Sequence, residues 1–295
     1  MQDNLRIWIG RTEKKWLALL QQNAEQTFSG TFLPSHDHTH HRRVWNIGKT
    51  LLKQIGTFNN YLDPGLVEGL LIAAMFHDLG MAVTREKEHG RISREMCEDF
   101  FRRRKRQKPE RYQEVLDAIE RHDIKNEQVY FGIGHHECPD LLTLLSLADD
   151  LEALGTIGIY RYAEIYLVRG VKLGELGISI LGNACIRFNH ISKSCALCPE
   201  ILRDYRPQYA ALVSFFDRYN QQLLVETDPA LVRSGYIGIV NTIRRLSVEG
   251  TTRPEDFPAA LEQGDPPKLM IDYFSNLKEE LVKARENLNL ADTSA

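Results

Sequence analysis

The stretch Leu70–Gly80, LLIAAMFHDLG, constrains this chain more than any other: an apolar run that ends in a histidine and an aspartate side by side. A solvated loop has no use for the apolar lead-in. A core helix has no use for two ionisable groups at its end unless something compensates their burial. A metal ion does so, because imidazole and carboxylate are both ligands of first-row metals. What matters next is whether other ligands converge on His77 and Asp78.

Bulk properties narrow the field. With 295 residues the chain has material for one large domain or two ordinary ones, and 43% apolar with 26% charged residues is a globular composition. A net charge of −3 gives no general attraction to nucleic acid or to a membrane. The N-terminal MQDNLRIWIGRTEKKW carries charges throughout and does not read as a signal peptide. No apolar run reaches the ~18–20 residues of a membrane span. Five cysteines, an odd number, fit the reduced thiols of a cytoplasmic protein better than a disulfide framework.

Helical periodicity runs through almost the whole chain. Residues 3–28 read as a first helix, with Leu5, Trp8, Leu17 and Leu20 inward. Val44, Ile47, Leu51 and Ile55 are spaced 3, 4 and 4 apart, one face of a helix, and a step back from Val44 puts His40 on that face. His41 falls on the neighbouring stripe with Trp45. Asp63-Pro64 opens the next helix, with Leu66, Leu70, Ala73 and His77 on one face and Gly80 as its stop. His89 precedes a helix carrying Ile92, Met96 and Phe100. Pro109 and Glu110 start one with Val115, Ile119 and His122 aligned. Pro139 starts another, with Leu142, Leu145 and Asp149 aligned and Gly155 as its end.

Four separate apolar faces therefore each carry one metal-capable residue: His40, His77, His122 and Asp149. Asp78 adjoins one of them and His89 opens a further helix. A single histidine on an apolar face is ordinarily a core residue satisfied by a backbone carbonyl. Four such coincidences between His40 and Asp149 are harder to dismiss, since buried carboxylates without a partner are rare.

These residues carry a resemblance. H-x-x-R-V at His40–Val44, the His77-Asp78 pair and A-D-x-L at Ala148–Leu151 resemble the HD-domain metal-dependent phosphohydrolase superfamily. The likeness is closest to a bacterial branch with H-D-x-x-H-x-x-R-V first and A-D-x-L-x-A-L-G-x-I-G-x-x-R last, here His36–Val44 and Ala148–Arg161. It covers roughly residues 31–168. A second His-Asp, His122-Asp123, reads as a histidine followed by an ordinary helix-end charge.

The resemblance implies an all-α HD helical bundle at 31–168, preceded by an N-terminal helix at 1–30 and followed by a helical C-terminal extension at 169–295. It implies His40, His77, Asp78 and Asp149 as ligands of a first metal. In some members of the superfamily two more histidines hold a second ion, and His89 and His122 stand at the matching positions. A one-metal site with those two histidines on substrate phosphate stands beside that reading. His136, in His135-His136-Glu137, is a substitute ligand if that segment is not simply a solvated loop.

Such a metal stabilises charge on a phosphoryl oxygen and lowers the pKa of its water, with Asp78 as the catalytic carboxylate that orients it. The mixed His/Asp set suits Mn, Fe, Co, Ni or Zn, one or two ions, more than an all-oxygen magnesium site. Arg43, Lys87 and Arg161 are the candidate phosphate-binding cations; the two arginines serve equally as structural ion-pair partners and Lys87 as a solvated charge. The basic run Arg102–Arg111 is either a solvated helix end or a grip on a polyanion. Past Gly170 the sequence is mixed and poorly periodic. There Cys185, His190, Cys195 and Cys198 have zinc-type identities but a shorter spacing than the usual structural site.

The expectation is thus a cytoplasmic metal-dependent phosphohydrolase acting on a small phosphorylated substrate, a nucleotide by family analogy, with no membrane or nucleic-acid partner and with a homodimer compatible. The alternatives are a di-iron oxygenase on the same scaffold and a non-catalytic nucleotide- or ligand-sensing module.

Overall fold

Helices account for all the regular structure among the described residues, and no strand occurs among them. The computed structural model describes residues 2–57, 60–105, 107–124, 140–195, 199–262 and 266–292, with the backbone alone at 2 and 285–292. The chain forms two compact units. One comprises Met1–Phe32, His36–Glu152 and Arg187–Arg203; the other comprises Leu33–Ser35, Ala153–Ile186 and Asp204–Ala295.

The first unit is built around α3 (Pro64–Phe76). Asp63 caps it, accepting from the Leu66 amide at 2.8 Å, and a proline occupies the first turn. Its residues from Leu70 to Phe76 are all buried. A helix apolar all round belongs at the centre of a bundle, and α1 (Gln2–Phe28), α2 (His38–Ile55), α5 (Tyr112–Arg121) and α6 (Leu141–Glu152) pack around it. α4 (His89–Arg103) packs mainly on α5. The stretch Pro64–Ala82 is long and apolar enough by composition to cross a bilayer, which the sequence reading did not allow for. Here 89% of its window is buried inside the protein, the position of a core helix.

Two helix stops differ from expectation. α3 ends at Phe76, so His77 is its C-cap, and Leu79–Ala82 form a 3₁₀ turn. Gly80 lies inside that turn because the start of α4 passes close by: a Cβ there would sit 2.1 Å from the His89 carbonyl oxygen. Likewise α6 ends at Glu152, and Gly155 opens the next helix, α7 (Gly155–Val168), with φ +68°.

The second unit contains α7, the part of α8 (Leu173–Ser194) up to Ile186, α9 (Pro199–Leu223) from Asp204, α10 (Gly235–Ile243), α11 (Phe257–Leu261) and α12 (Lys268–Asp292). Its core includes Tyr160, Leu176, Ile180, Phe216, Tyr219 and Phe274. The segment read as poorly periodic is therefore a helix of 22 residues. Leu176, Ile180 and Ala184 form its buried stripe; the glycines at 174, 177 and 182 obscure that stripe in the sequence.

Candidate metal centre

Six residues far apart in the chain arrive at one place in the first unit. His40 lies in the first turn of α2 and Asp149 in the third turn of α6. His77 and His122 are the C-caps of α3 and α5, Asp78 follows His77, and His89 is the first residue of α4. Helix ends concentrate here because a C-cap residue places its side chain where the apolar face stops. All six are buried, His40 and His77 completely.

Two ligand groups share Asp78. In the first, His40 Nε2 lies 3.1 Å from His77 Nε2, 3.4 Å from Asp78 Oδ2 and 3.6 Å from Asp149 Oδ1. His77 Nε2 lies 3.5 Å from Asp78 Oδ2 and 4.0 Å from Asp149 Oδ1. In the second, Asp78 Oδ1 lies 3.1 Å from His122 Nε2 and 3.3 Å from His89 Nε2. Each group offers its ligand atoms within 4.8 Å of one another. Around an ion with bonds of ~2.1 Å, ligand atoms stand ~3.0–3.4 Å apart, so small shifts suffice.

The imidazoles are oriented by their far sides. His77, His89 and His122 donate from Nδ1 to the carbonyls of Ala74, Glu86 and Ile119 at 2.9, 2.7 and 2.8 Å. Each accepting residue is three positions earlier, the local contact that a histidine at a helix end can make. This fixes the ring and, when neutral, leaves the lone pair on Nε2, facing the cluster. His40 turns its Nδ1 to Glu152 Oε2 at 3.3 Å.

For His77 the electrostatics agree with that orientation. Burial pushes His77 down to about 4 against the attraction of Asp78, so it is neutral at pH 7. Burial alone would raise the Asp78 carboxyl, but His77 and the hydrogen bonds of His122, His40 and His89 outweigh burial and hold it well below the usual carboxylate range. Burial also opposes charge on His89, yet its hydrogen bond with Asp78 and the Asp78 charge lift it to about 9. An ionised carboxylate ringed by imidazoles attracts either a proton or a cation. The donor set of nitrogens and carboxylate oxygens thus fits a divalent transition ion.

Several neighbours escaped the sequence reading. Glu152 contacts His40 and accepts from Arg43 Nε; it lies one helical turn after Asp149, a spacing that offers a signal. Arg187 contacts Asp149, Asp150 and Asp123, and its position in the segment read as irregular gives no such signal. Asp123 is thus an ion-pair partner of Arg187 as well as a helix-end charge. His41 is buried beside His77 with ring centroids 5.0 Å apart, donates to the Met75 carbonyl at 3.1 Å, and is kept neutral by its burial.

The remaining candidates lie as follows. Arg43 is buried and also donates to Thr39 Oγ1 at 3.0 Å. Lys87 is exposed on the loop before α4. Arg161 is buried in the second unit. Arg102 and Arg103 pair with Asp99, Arg104 stacks on Phe100, and Arg111 pairs with Asp63 and Glu114. In the cysteine-rich set, His190 places Nδ1 2.6 Å from Asp150 Oδ2 and Nε2 3.5 Å from Ser194 Oγ. Cys195 is buried, Cys185 is exposed in the second unit, and Cys198 lies outside the described residues. His135, His136 and Glu137 also lie outside them.

Residues 38–154, which span all six converging residues, match the family model described as HD domain. No curated protein and no solved structure matches the chain.

Proposed function

On the premise that this chain belongs to the HD-domain superfamily through residues 38–154, we propose that it is a metal-dependent phosphohydrolase acting on a phosphate ester, with a nucleotide as substrate. The observation that carries the reading is the pair of buried ligand groups joined through the two oxygens of Asp78. His40, His77, Asp78 and Asp149 hold one ion, and Asp78, His89 and His122 hold a second. When bound, such ions supply Lewis acidity towards a phosphoryl oxygen and towards water.

The chain supplies the rest. The carbonyls behind His77, His89 and His122 keep those imidazoles pointed inward, and the Glu152 carboxylate faces His40 Nδ1 at 3.3 Å. Asp78 is the carboxylate that orients the attacking water. Burial of the six residues lowers the local dielectric, so charges at the site interact more strongly than in water. Lys87, exposed two residues ahead of His89, meets the substrate's outer phosphate.

The test is phosphate or pyrophosphate release over a nucleotide panel, run anaerobically with Mn²⁺, Co²⁺, Ni²⁺, Zn²⁺ and Fe²⁺, alongside elemental analysis of the purified protein. Turnover with at least one metal, lost in Asp78→Ala, is expected. No release with any metal, or full activity in Asp78→Ala, overturns the assignment. Substrate consumption seen only in a parallel aerobic arm, with O₂ and reduced iron, would identify an oxygenase instead.

A further inference from the structure

Asp149 divides its two oxygens between different tasks. Oδ1 faces His40 and His77 in the first ligand group. Oδ2 accepts from Arg187 Nη1 at 3.0 Å. The same Nη1 donates to Asp150 Oδ1 at 2.6 Å, and Nη2 donates to Asp123 Oδ1 at 2.8 Å. One guanidinium thus binds three carboxylates, from the end of α5 and from successive residues of α6.

The guanidinium is itself held in place. Asp150, fully buried, turns its other oxygen to His190 Nδ1 at 2.6 Å, one helical turn beyond Arg187. His190 is in turn 3.5 Å from Ser194 Oγ. Arg187, His190 and Ser194 all lie in the last turns of α8, inside the first unit but beyond the matched segment 38–154. Two adjacent buried aspartates repel each other, and without a shared cation they would splay or take up a proton.

We infer that Arg187 is a positioning residue of the metal centre, which clamps Asp149 by its outer oxygen so that only Oδ1 is presented to the ion, with Asp150 and His190 as the brace. This rests on the proposed metal site but not on any turnover. It gives residues 187–194 a part in the site that the matched segment does not contain.

The sign of one measurement decides it. Deleting a cation beside a ligand set should by Coulomb's law tighten the binding of a dication. Losing a clamp on a ligand should weaken it, by about 10- to 100-fold for an outer partner of a metal ligand. The full-length chain, stripped with chelator, is titrated with Mn²⁺ alone by calorimetry and with Co²⁺ by visible absorption. Circular dichroism confirms that each variant is folded.

Arg187→Gln is expected to weaken Mn²⁺ by about tenfold or more and to shift the Co²⁺ bands. Affinity that is unchanged or tighter in folded Arg187→Gln overturns the inference. Should that variant fail to fold, Arg187→Lys carries the test. It keeps the charge but cannot span three carboxylates, so weaker Mn²⁺ binding supports the clamp and wild-type affinity overturns it. If every variant behaves as expected while no nucleotide is hydrolysed, the clamp stands and the phosphohydrolase reading fails.

Discussion

Asp78 Oδ1 lies 3.1 Å from His122 Nε2, while Asp78 Oδ2 lies 3.4 Å from His40 Nε2, so a single carboxylate faces two sets of imidazoles. On the proposed two-ion reading, Asp78 would be the ligand common to both groups. Equilibrium dialysis against saturating Mn²⁺ should give two equivalents per chain in the wild type and one in His122→Ala. One equivalent in both would leave His89 and His122 as groups that face substrate.

Arg43 and Glu152 form a buried ion pair, and Glu152 also faces His40. Removing Arg43 takes away the guanidinium that offsets the buried Glu152 charge and leaves it only its weaker contacts. Arg43→Met should therefore lower the unfolding free energy by about 3 kcal/mol in urea titrations. A variant of wild-type stability with a raised KM would instead place Arg43 on the substrate.

Gly80 has no room for a side chain, because a Cβ would meet the His89 carbonyl oxygen at 2.1 Å. Gly80→Ala must push the start of α4 away from the 3₁₀ turn. A loss of at least about 1–3 kcal/mol is expected, as for an overpacked core, and His89 moves with the backbone, so the second equivalent of Mn²⁺ should bind more weakly. Thermal melting and dialysis read the two effects separately, and an unchanged melting temperature would contradict this packing.

Glu164 is buried in the second unit, where it accepts from the Ser35 amide at 2.9 Å and from the hydroxyls of Tyr160 and Ser247. Burial raises its carboxyl above the ordinary range, against those hydrogen bonds. A group whose folded pKa lies above its unfolded value gives stability that is complete below the unfolded value and is lost as pH rises through the folded one. Glu164 should therefore add a downward slope to the wild-type urea midpoint as pH rises above about 4.3, against the upward slope from the buried neutral His41 and His77. Glu164→Gln should remove that part of the slope. Parallel pH profiles for the two proteins would show that Glu164 ionises as it does in the unfolded chain.

Much of the site was legible because its residues sit on strongly periodic helices. His40 follows from the Val44–Leu51–Ile55 stripe and His77 from the apolar run before it, and α3 begins at the Asp63-Pro64 cap as read. Helix ends were less legible. A glycine marks a sharp place in the backbone but not its kind: Gly80 permits a close approach and Gly155 begins a helix. α8 was hidden because its glycines dilute the apolar stripe, and Arg187 was hidden with it.

By itself the sequence determined the helical class, many of the stripes that become buried and the six metal-capable residues beside them, because these depend on residue type and on spacing within a turn or two; on α4 the buried face is Ser93, Cys97 and Phe100 rather than Ile92, Met96 and Phe100. Tertiary structure alone decided that both oxygens of Asp78 are used, that Glu152 stands behind His40, and that an arginine 38 positions after Asp149 returns to hold it. Contacts between distant segments depend on how whole helices pack, and no local pattern records which of the many arginines will find three carboxylates waiting.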